Sequence, residues 1–515
     1  MFPGFHARVR PDARAVVMAG SEEVVTYAEL DDRSAQLAQL LYASGLRPGD
    51  NIALLAENHP RYYEVYWAAM RSGLYLTTVN RYLSPDEAAY LVNDSNSSAL
   101  IATRAMAATA GSMLDLLDHH PQCWMMDGVI DGFESYEDAL AGQPATPLAD
   151  QPRGETMLYS SGTTGRPKGI KRALSGKQVD DPTASGMGGM LRSMLGMDES
   201  SIYLCPAPLY HAAGIVWSAG AHEVGATVVV MEKFDPEAFL AVIERERVTH
   251  TQVVPTMFVR LLKLPEEVRL RYDVSSLECV LHAAAPCPVE VKRQIIEWLG
   301  PIVSEHYSAT EGNGMTFIAS PDWLAHPGSV GQAMLGIIHI CDEHGDELPV
   351  GEVGIVYFEK ADRPFEYFGD ADKTRASRHP VHDTWAKVGD IGYVDDDMFL
   401  YLTDRQSFMI ISGGVNIYPA EIESSLIMHP RVADIAVFGL PDPEMGEYVH
   451  AVVQVANGDV GSPELAAELT AYAREQLAHY KVPRVFDFSE ELPRMPTGKL
   501  AKHLLRADHL EATPG

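Results

Sequence analysis

The strongest constraint on how this chain can fold is a repeated alternation of helix-like and strand-like stretches through its first 300 residues. Thr26-Tyr27-Ala28-Glu29-Leu30 opens a helix: Thr26 can cap the first turn, and Glu29, three residues on, can complete a capping box. Leu30, Leu37, Leu40 and Leu41 then recur on one face at roughly helical spacing. After the Pro48-Gly49-Asp50 turn, residues 51–56 read as a short buried strand, 61–72 as a helix and 74–79 as a strand. The rhythm returns with a strand at 227–231, a helix at 236–245, and strands at 252–254 and 280–282. Strand, helix, strand in succession predicts parallel sheets covered by helices.

The texture changes from about residue 330. Short strand-like runs such as 354–358 and 399–402 alternate with glycine and acidic turns, which predicts a β-rich, more antiparallel region. A fresh unit starts at about 408. Its strands are at 409–411, 435–438, 449–455 and near Val485, and its helices at 420–428 and 463–478. About 100 residues is enough for a separate α+β domain. No internal repeat is visible, and the run Gly186-Met187-Gly188-Gly189-Met190 reads as a mobile loop. The fold class expected is α/β: a large N-terminal domain of layered β/α subdomains with a β-rich subdomain, plus a small α+β C-terminal domain.

Charge narrows the function. The 515 residues carry 40 Lys+Arg against 71 Asp+Glu, a formal net charge of −31. A protein whose main task is binding nucleic acid or an anionic membrane surface needs the opposite balance. Five cysteines, an odd number without a CxxC pair, suggest neither a disulfide framework nor a cysteine zinc site, and fit a reducing cytoplasm. The N-terminal stretch lacks the apolar core of a secretory signal, and no run approaches about 18 apolar residues, so no membrane span is expected.

Against this acidity, one segment is a basic island. Tyr159-Ser160-Ser161-Gly162-Thr163-Thr164-Gly165-Arg166-Pro167-Lys168-Gly169 crowds hydroxyls and glycines ahead of a lysine, with Lys171 and Arg172 just beyond. Glycines let backbone N–H groups approach a phosphate, hydroxyls add donors, and Lys168 supplies charge. The spacing is not the Walker pattern, because Pro167 precedes and Gly169 follows Lys168. From composition alone, a phosphate loop and a flexible surface loop are equally good readings.

The segment resembles the phosphate loop of the adenylate-forming superfamily, which comprises acyl-CoA synthetases, peptide-synthetase adenylation domains and beetle luciferases. Further segments resemble that family in the same order. Pro208-Leu209-Tyr210-His211-Ala212-Ala213-Gly214 resembles its fourth motif, which implies His211 beside the acyl carboxylate; a buried, satisfied histidine is the alternative. His282-Ala283-Ala284-Ala285-Pro286-Cys287-Pro288 resembles the loop along adenine, although the family more often has glycine there. Tyr307-Ser308-Ala309-Thr310-Glu311 resembles the segment in which the Tyr stacks on adenine, the Thr approaches the α-phosphate and the Glu holds Mg²⁺. An aromatic face suits a purine, and a hard cation wants carboxylate oxygen.

Asp390, in Lys387-Val388-Gly389-Asp390, matches the Asp that binds the ribose hydroxyls, and a carboxylate can accept from both members of a diol. Arg405 matches the Arg at ribose or phosphate. The family's hinge residue, usually Asp or Lys, falls at Ser407. Ser412-Gly413-Gly414 resembles the glycine turn of the pantetheine tunnel, where glycine leaves room beside the backbone. Pro493-Arg494-Met495-Pro496-Thr497-Gly498-Lys499 resembles the near-terminal segment with the mobile catalytic lysine, with Met495 in place of a Thr.

The resemblance, closest to bacterial fatty-acyl-CoA synthetases, implies domains 1–404 and 405–515, the second mobile. It implies an ATP site of Ser160, Ser161, Gly162, Thr163, Thr164, Gly165, Lys168, Ala284, Ala285, Glu305, His306, Tyr307, Asp390 and Arg405. The catalytic residues implied are Lys499, Thr310, Glu311 and His211, with Mg²⁺ on Glu311. Coenzyme A is implied at Ser412, Gly413, Gly414 and Lys481, with Arg81 as a further candidate; Lys481 and Arg81 are otherwise solvated surface cations. The implied reaction is ATP-dependent activation of a carboxylic acid as an acyl-adenylate, followed by transfer to coenzyme A.

A ligase loading a carrier protein, a luciferase-like oxygenase and a catalytically inactive nucleotide-binding regulator are the alternatives. The absence of a carrier domain before the end at Gly515 disfavours a modular peptide synthetase. No GxSxG, HExxH or GxGxxG motif supports a hydrolase, zinc enzyme or dinucleotide dehydrogenase. The acid pocket is expected at 211–219, 283–285 and 312–316. These stretches are mostly small or apolar, with Trp217, Asn313 and Met315 as exceptions, which suits an aliphatic, aromatic or alicyclic acid. Neither nucleic acid nor an integral membrane is expected as a partner, and the family includes monomers and homodimers.

Overall fold

The computed structural model describes residues 2–160, 167–362, 365–405, 408–456, 459–494 and 500–512. The chain packs as two compact units. One comprises Met1–Val253, Lys263–Leu281 and Phe365–Ala371; the other comprises Val254–Leu262, His282–Pro364 and Asp372–Gly515.

The first unit shows the alternation read from the sequence. Strands Glu134–Ser135, Gln122–Met126, Ser97–Thr103, Asn51–Leu55, Tyr75–Val79 and Glu155–Thr156 lie side by side in that order, all parallel. Asn51–Leu55 and Tyr75–Val79 are buried at every residue, as strands covered on both faces must be. A second set runs His250–Val253, Ile202–Cys205, Thr227–Val230 and Arg14–Met18, again parallel, and ends at the antiparallel strand Val24–Thr26. The Thr26 capping box is present: the Thr26 hydroxyl accepts from the Glu29 N–H at 3.2 Å, and the Glu29 carboxylate accepts from the Thr26 N–H at 2.8 Å.

One expectation fails here. The glycine run at 186–190 is not a loop: residues 187–190 begin the helix Met187–Leu195. A Cβ at Gly188 would lie 2.9 Å from Glu223 Cβ, and one at Gly220 would lie 2.3 Å from Met187 Cγ. The two glycines let this helix approach the helix Ala212–Val224, and the Glu223 carboxylate accepts from the Gly188 N–H at 3.0 Å. This close packing offsets the ~1 kcal/mol that each interior glycine costs a helix.

The second unit is mostly antiparallel. Strands Val303–Ser308, Met315–Ala319 and Gln332–Leu335 form one set. Ile337–Cys341, Gly354–Glu359, Asp390–Val394 and Leu400–Arg405 form another, with Trp385–Ala386 on the second of these. The C-terminal portion folds as the expected α+β unit. Strands Val415–Ile417, Ile410–Ser412, Gly446–Val455 and Val432–Asp442 lie in order, with Val485–Ser489 added in parallel to Gly446–Val455. Helices Pro419–Leu426, Pro463–Gln476 and Lys502–Ala512 accompany that sheet. The fold class is thus the α/β class read from the sequence.

Candidate active site

The second unit brings four predicted residues together. The strand Val303–Ser308 is buried through His306 and emerges at Tyr307 and Ser308. The phenol of Tyr307 donates to Asp390 Oδ2 at 2.5 Å, and Arg405 Nε donates to Asp390 Oδ1 at 3.0 Å. Asp390 and Arg405 face each other across an antiparallel pair, so strand register sets their meeting. Burial and then the Asp390 charge push the Tyr307 phenol well above its usual range, which keeps its proton on as a hydrogen-bond donor. Burial opposes the charge on Arg405, but Asp390, Tyr307 and Glu311 outweigh it and raise the guanidinium.

Glu311 is itself buried, at 8% exposure. It follows Thr310 in a tight turn in which the Gly312 N–H donates to the Ala309 carbonyl at 2.9 Å, with Gly312 at φ +65°. Two carboxylates against one guanidinium leave local negative charge, and hard carboxylate oxygen is the donor that Mg²⁺ takes, so the residues present fit that ion. Asp390→Ala is expected to raise the KM for ATP by about 10-fold or more, the weight of a hydrogen bond to a charged acceptor; initial-rate kinetics with varied ATP checks this.

Glu305, two residues before Tyr307 on the same strand, belongs to a pair the sequence reading did not anticipate. Lys292, on the helix Val289–Leu299, is 0% exposed and places Nζ 2.5 Å from Glu305 Oε2. His282 Nε2 is 3.4 Å from the same oxygen, and the Trp323 ring lies 4.8 Å from the ammonium. Burial raises the Glu305 carboxyl, with Lys292 pulling against it, while burial and then Lys292 hold His282 neutral. The Glu305 side chain therefore serves the interior, and the adjacent His306 is also buried, with its pKa lowered by that burial to about 4. A signal was present: Lys292 shares the buried helix face with Val291, Ile295 and Ile296, where a lysine needs a partner.

The loop after the strand Cys279–His282 buries Ala283, exposes Ala284 and half-buries Ala285. Ala284 stands at φ +77°, a left-handed conformation that costs a residue with a Cβ about 1–2 kcal/mol. Ala284→Gly should therefore stabilise the protein by up to ~1 kcal/mol, after the extra freedom of glycine in the unfolded chain is subtracted. A rise in thermal midpoint checks it.

In the first unit, Leu158–Ser160 and Lys168–Lys171 pair antiparallel, with Lys168 opposite Ser160. The flanks of this hairpin are tied to the helix Pro85–Asp94. Tyr159 donates to Asp94 at 2.7 Å, and Tyr90 donates to the Pro167 carbonyl at 3.0 Å. Lys168 Nζ lies 3.4 Å from Asp370 Oδ2. Ser161, Gly162, Thr163, Thr164 and Gly165 lie outside the described residues, as do Ser407 and Lys499. His211 is half-buried at the start of the helix Ala212–Val224, its ring 4.5 Å from that of Tyr210. Gly214 of the same motif is needed for space: a Cβ there would lie 2.1 Å from the Pro208 carbonyl oxygen.

In the C-terminal portion, Gly413 and Gly414 stand at φ +57° and +78° between paired Ser412 and Val415. That is a two-residue hairpin turn with positive φ at both positions, which demands glycine by itself. Lys481 is not an uncommitted cation: its Nζ lies 2.7 and 2.6 Å from the two oxygens of Glu421. Arg81 lies over the Tyr82 ring at 5.0 Å. No helix among the described residues is long and apolar enough to cross a membrane, and no two of the five cysteines form a disulfide.

Residues 5–362 match the AMP-binding enzyme family and residues 421–499 match the AMP-binding enzyme C-terminal domain. A feruloyl-CoA synthase of Amycolatopsis sp is 34% identical over 522 residues, covering 98% of both chains. The fatty acid–[acyl-carrier-protein] ligase ScoC of Streptomyces coeruleorubidus is 32% identical, covering 98% of this chain and 94% of its own. Among solved structures, the o-succinylbenzoate CoA synthetase MenE of Bacillus subtilis, in complex with its acyl-adenylate intermediate, superposes with a TM-score of 0.80. It is 28% identical and covers 98% of this chain and 97% of that one. With both family segments matched in order over a full-length alignment, the chain belongs to the AMP-binding enzyme family, the adenylate-forming superfamily.

Proposed function

We propose that this protein is an ATP-dependent, AMP-forming acid–thiol ligase. It activates a carboxylic acid as its acyl-adenylate and passes the acyl group to coenzyme A. The observation that carries this reading is the Tyr307–Asp390–Arg405 constellation, which supports a nucleoside site. Tyr307 presents an aromatic face for adenine. Each Asp390 oxygen accepts one hydrogen bond and keeps a second acceptor position for a ribose hydroxyl. Arg405 supplies the cation beside ribose and phosphate.

In the first step the substrate carboxylate oxygen attacks the α-phosphorus, and the bond to the β-phosphate oxygen breaks as pyrophosphate leaves. A carboxylate is already a nucleophile, so the protein's work is to offset anion–anion repulsion and the developing charge. Lys499, Lys168 and the donors of 160–165 do this, Thr310 steadies the α-phosphate, and Glu311 would hold Mg²⁺, which would neutralise phosphate charge. His211 and Ala284-Ala285 border the acid and adenine. In the second step a thiol sulfur attacks the acyl carbon, AMP leaves with the electron pair, and the thiol proton passes to solvent. Domain 405–515 turns about Ser407 between the steps, replacing Lys499 with the Gly413–Gly414 turn. Lys481 exchanges Glu421 for a coenzyme A phosphate.

We place the enzyme in the cytoplasm, as a monomer or homodimer. Its acid has an uncharged aliphatic, aromatic or alicyclic body, and the feruloyl-CoA synthase relative supports beginning with aryl acids. The carrier-protein ligase among the relatives favours a second reading, in which the acceptor is a carrier-bound pantetheine. A screen of AMP release across short, medium, long, aryl and steroidal acids, with and without coenzyme A, tests both. Thioester formed with free coenzyme A supports the first reading. Adenylate that accumulates until a carrier protein is added overturns it in favour of the second.

A further inference from the structure

Away from the residues given roles above, three side chains converge on the C-terminal sheet. His450 lies on the strand Gly446–Val455, Asp487 on the neighbouring strand Val485–Ser489 and His509 on the helix Lys502–Ala512. His450 Nε2 and His509 Nε2 each lie 3.2 Å from Asp487 Oδ2, and one ligand atom from each residue falls within 4.8 Å of the others.

Two further observations concern how these atoms meet. The His450 side chain is 3% exposed, and neither of its ring nitrogens has a hydrogen-bond partner, despite the proximity of Asp487. His509 Nδ1 lies 2.7 Å from the Leu505 carbonyl, which only accepts, so Nδ1 carries the proton. In a neutral imidazole that leaves the Nε2 lone pair directed at a carboxylate oxygen. A cation held between that lone pair and the carboxylate oxygen relieves their repulsion. The Leu505 contact is the outer-shell hydrogen bond that fixes the tautomer and ring orientation of a metal-binding histidine. Phe438 closes one side, its ring 5.3 Å from His450 and 5.6 Å from His509. Asp487, half exposed, leaves a route for an ion and for a solvent ligand.

We propose that His450, Asp487 and His509 form a binding site for a divalent transition metal, zinc being the ion their chemistry fits best. Two imidazoles and one carboxylate are the donors of a four-coordinate zinc site whose last position is water. They suit zinc, nickel or cobalt and not magnesium, which takes an oxygen shell. The site is separate from the one proposed for Mg²⁺ at Glu311. An ion there joins the helix Lys502–Ala512 to two strands of the sheet, and that helix starts three residues after Lys499 in sequence.

The test is calorimetric titration of zinc into the full-length, untagged, chelator-stripped protein in excess magnesium, with thermal unfolding alongside. The wild type is expected to bind one zinc per chain and to unfold at a higher temperature with it. Asp487→Asn and His509→Gln, at exposed or half-exposed positions chosen to preserve folding, are each expected to weaken binding by more than about 10-fold and to lose that shift. Cobalt is expected to give the visible absorption of a four-coordinate site in the wild type alone. No stoichiometric zinc in the wild type, or native affinity in either variant, overturns the proposal.

Discussion

Lys292→Met is expected to lower the stability of this protein by ~3–5 kcal/mol, the range for removing one partner of a buried ion pair. The reason is the carboxylate left behind. Glu305 is 5% exposed on a strand buried from Val303 through His306, and its carboxylate meets Lys292 and a neutral His282. Without the ammonium, the cheapest response is for Glu305 to take up a proton. Its folded-state pKa then rises further above the unfolded value than it already stands in the wild type. The folded variant therefore holds a proton that the unfolded chain releases. Its stability is best below the unfolded pKa of about 4.3 and falls as pH climbs through the folded value. Denaturant melts of the variant should show a smaller deficit near pH 5 than near pH 8. Adding Glu305→Gln should restore part of the loss, because a neutral amide tolerates the apolar site better than an orphaned charge. The same pair fixes the strand that carries Tyr307, so KM for ATP should rise in the single variant before it unfolds.

What could be read from the sequence, and what could not, divides along physical lines. The Thr26–Glu29 capping box is a contact between residues three apart, and local spacing suffices to predict it. The parallel strands Asn51–Leu55 and Tyr75–Val79 are legible because burial on both faces leaves short runs without a charged residue. The helix Met187–Leu195 was misread because glycine propensity is local, whereas the close fit of Gly188 against Glu223 and of Gly220 against Met187 is tertiary. Motif residues such as Tyr307, Asp390 and Arg405 could be picked out one at a time. Their union, across 83 residues between Tyr307 and Asp390, depends on strand register and appears only in the fold. Lys481 looked like an available cation until Glu421, 60 residues away, proved to hold it. Gly413 and Gly414 show the converse: a feature read as room for a cofactor is already required by the hairpin turn.

The central claim is that one chain carries out two half-reactions, and that Lys499 serves only the first. In the proposed mechanism Lys499 offsets charge while pyrophosphate leaves the α-phosphorus; a thiol attacking a carbonyl carbon makes no such demand. Loss of one such stabilising group costs about 10²–10³-fold in rate. The decisive measurement is therefore on Lys499→Ala, with the two half-reactions assayed separately on the same preparation. ATP–pyrophosphate exchange, with an acid that the wild type accepts, should fall by that factor. Conversion of supplied acyl-adenylate and coenzyme A to thioester and AMP should proceed near the wild-type rate. Equal loss in both assays would contradict the account, as would full exchange activity in the variant.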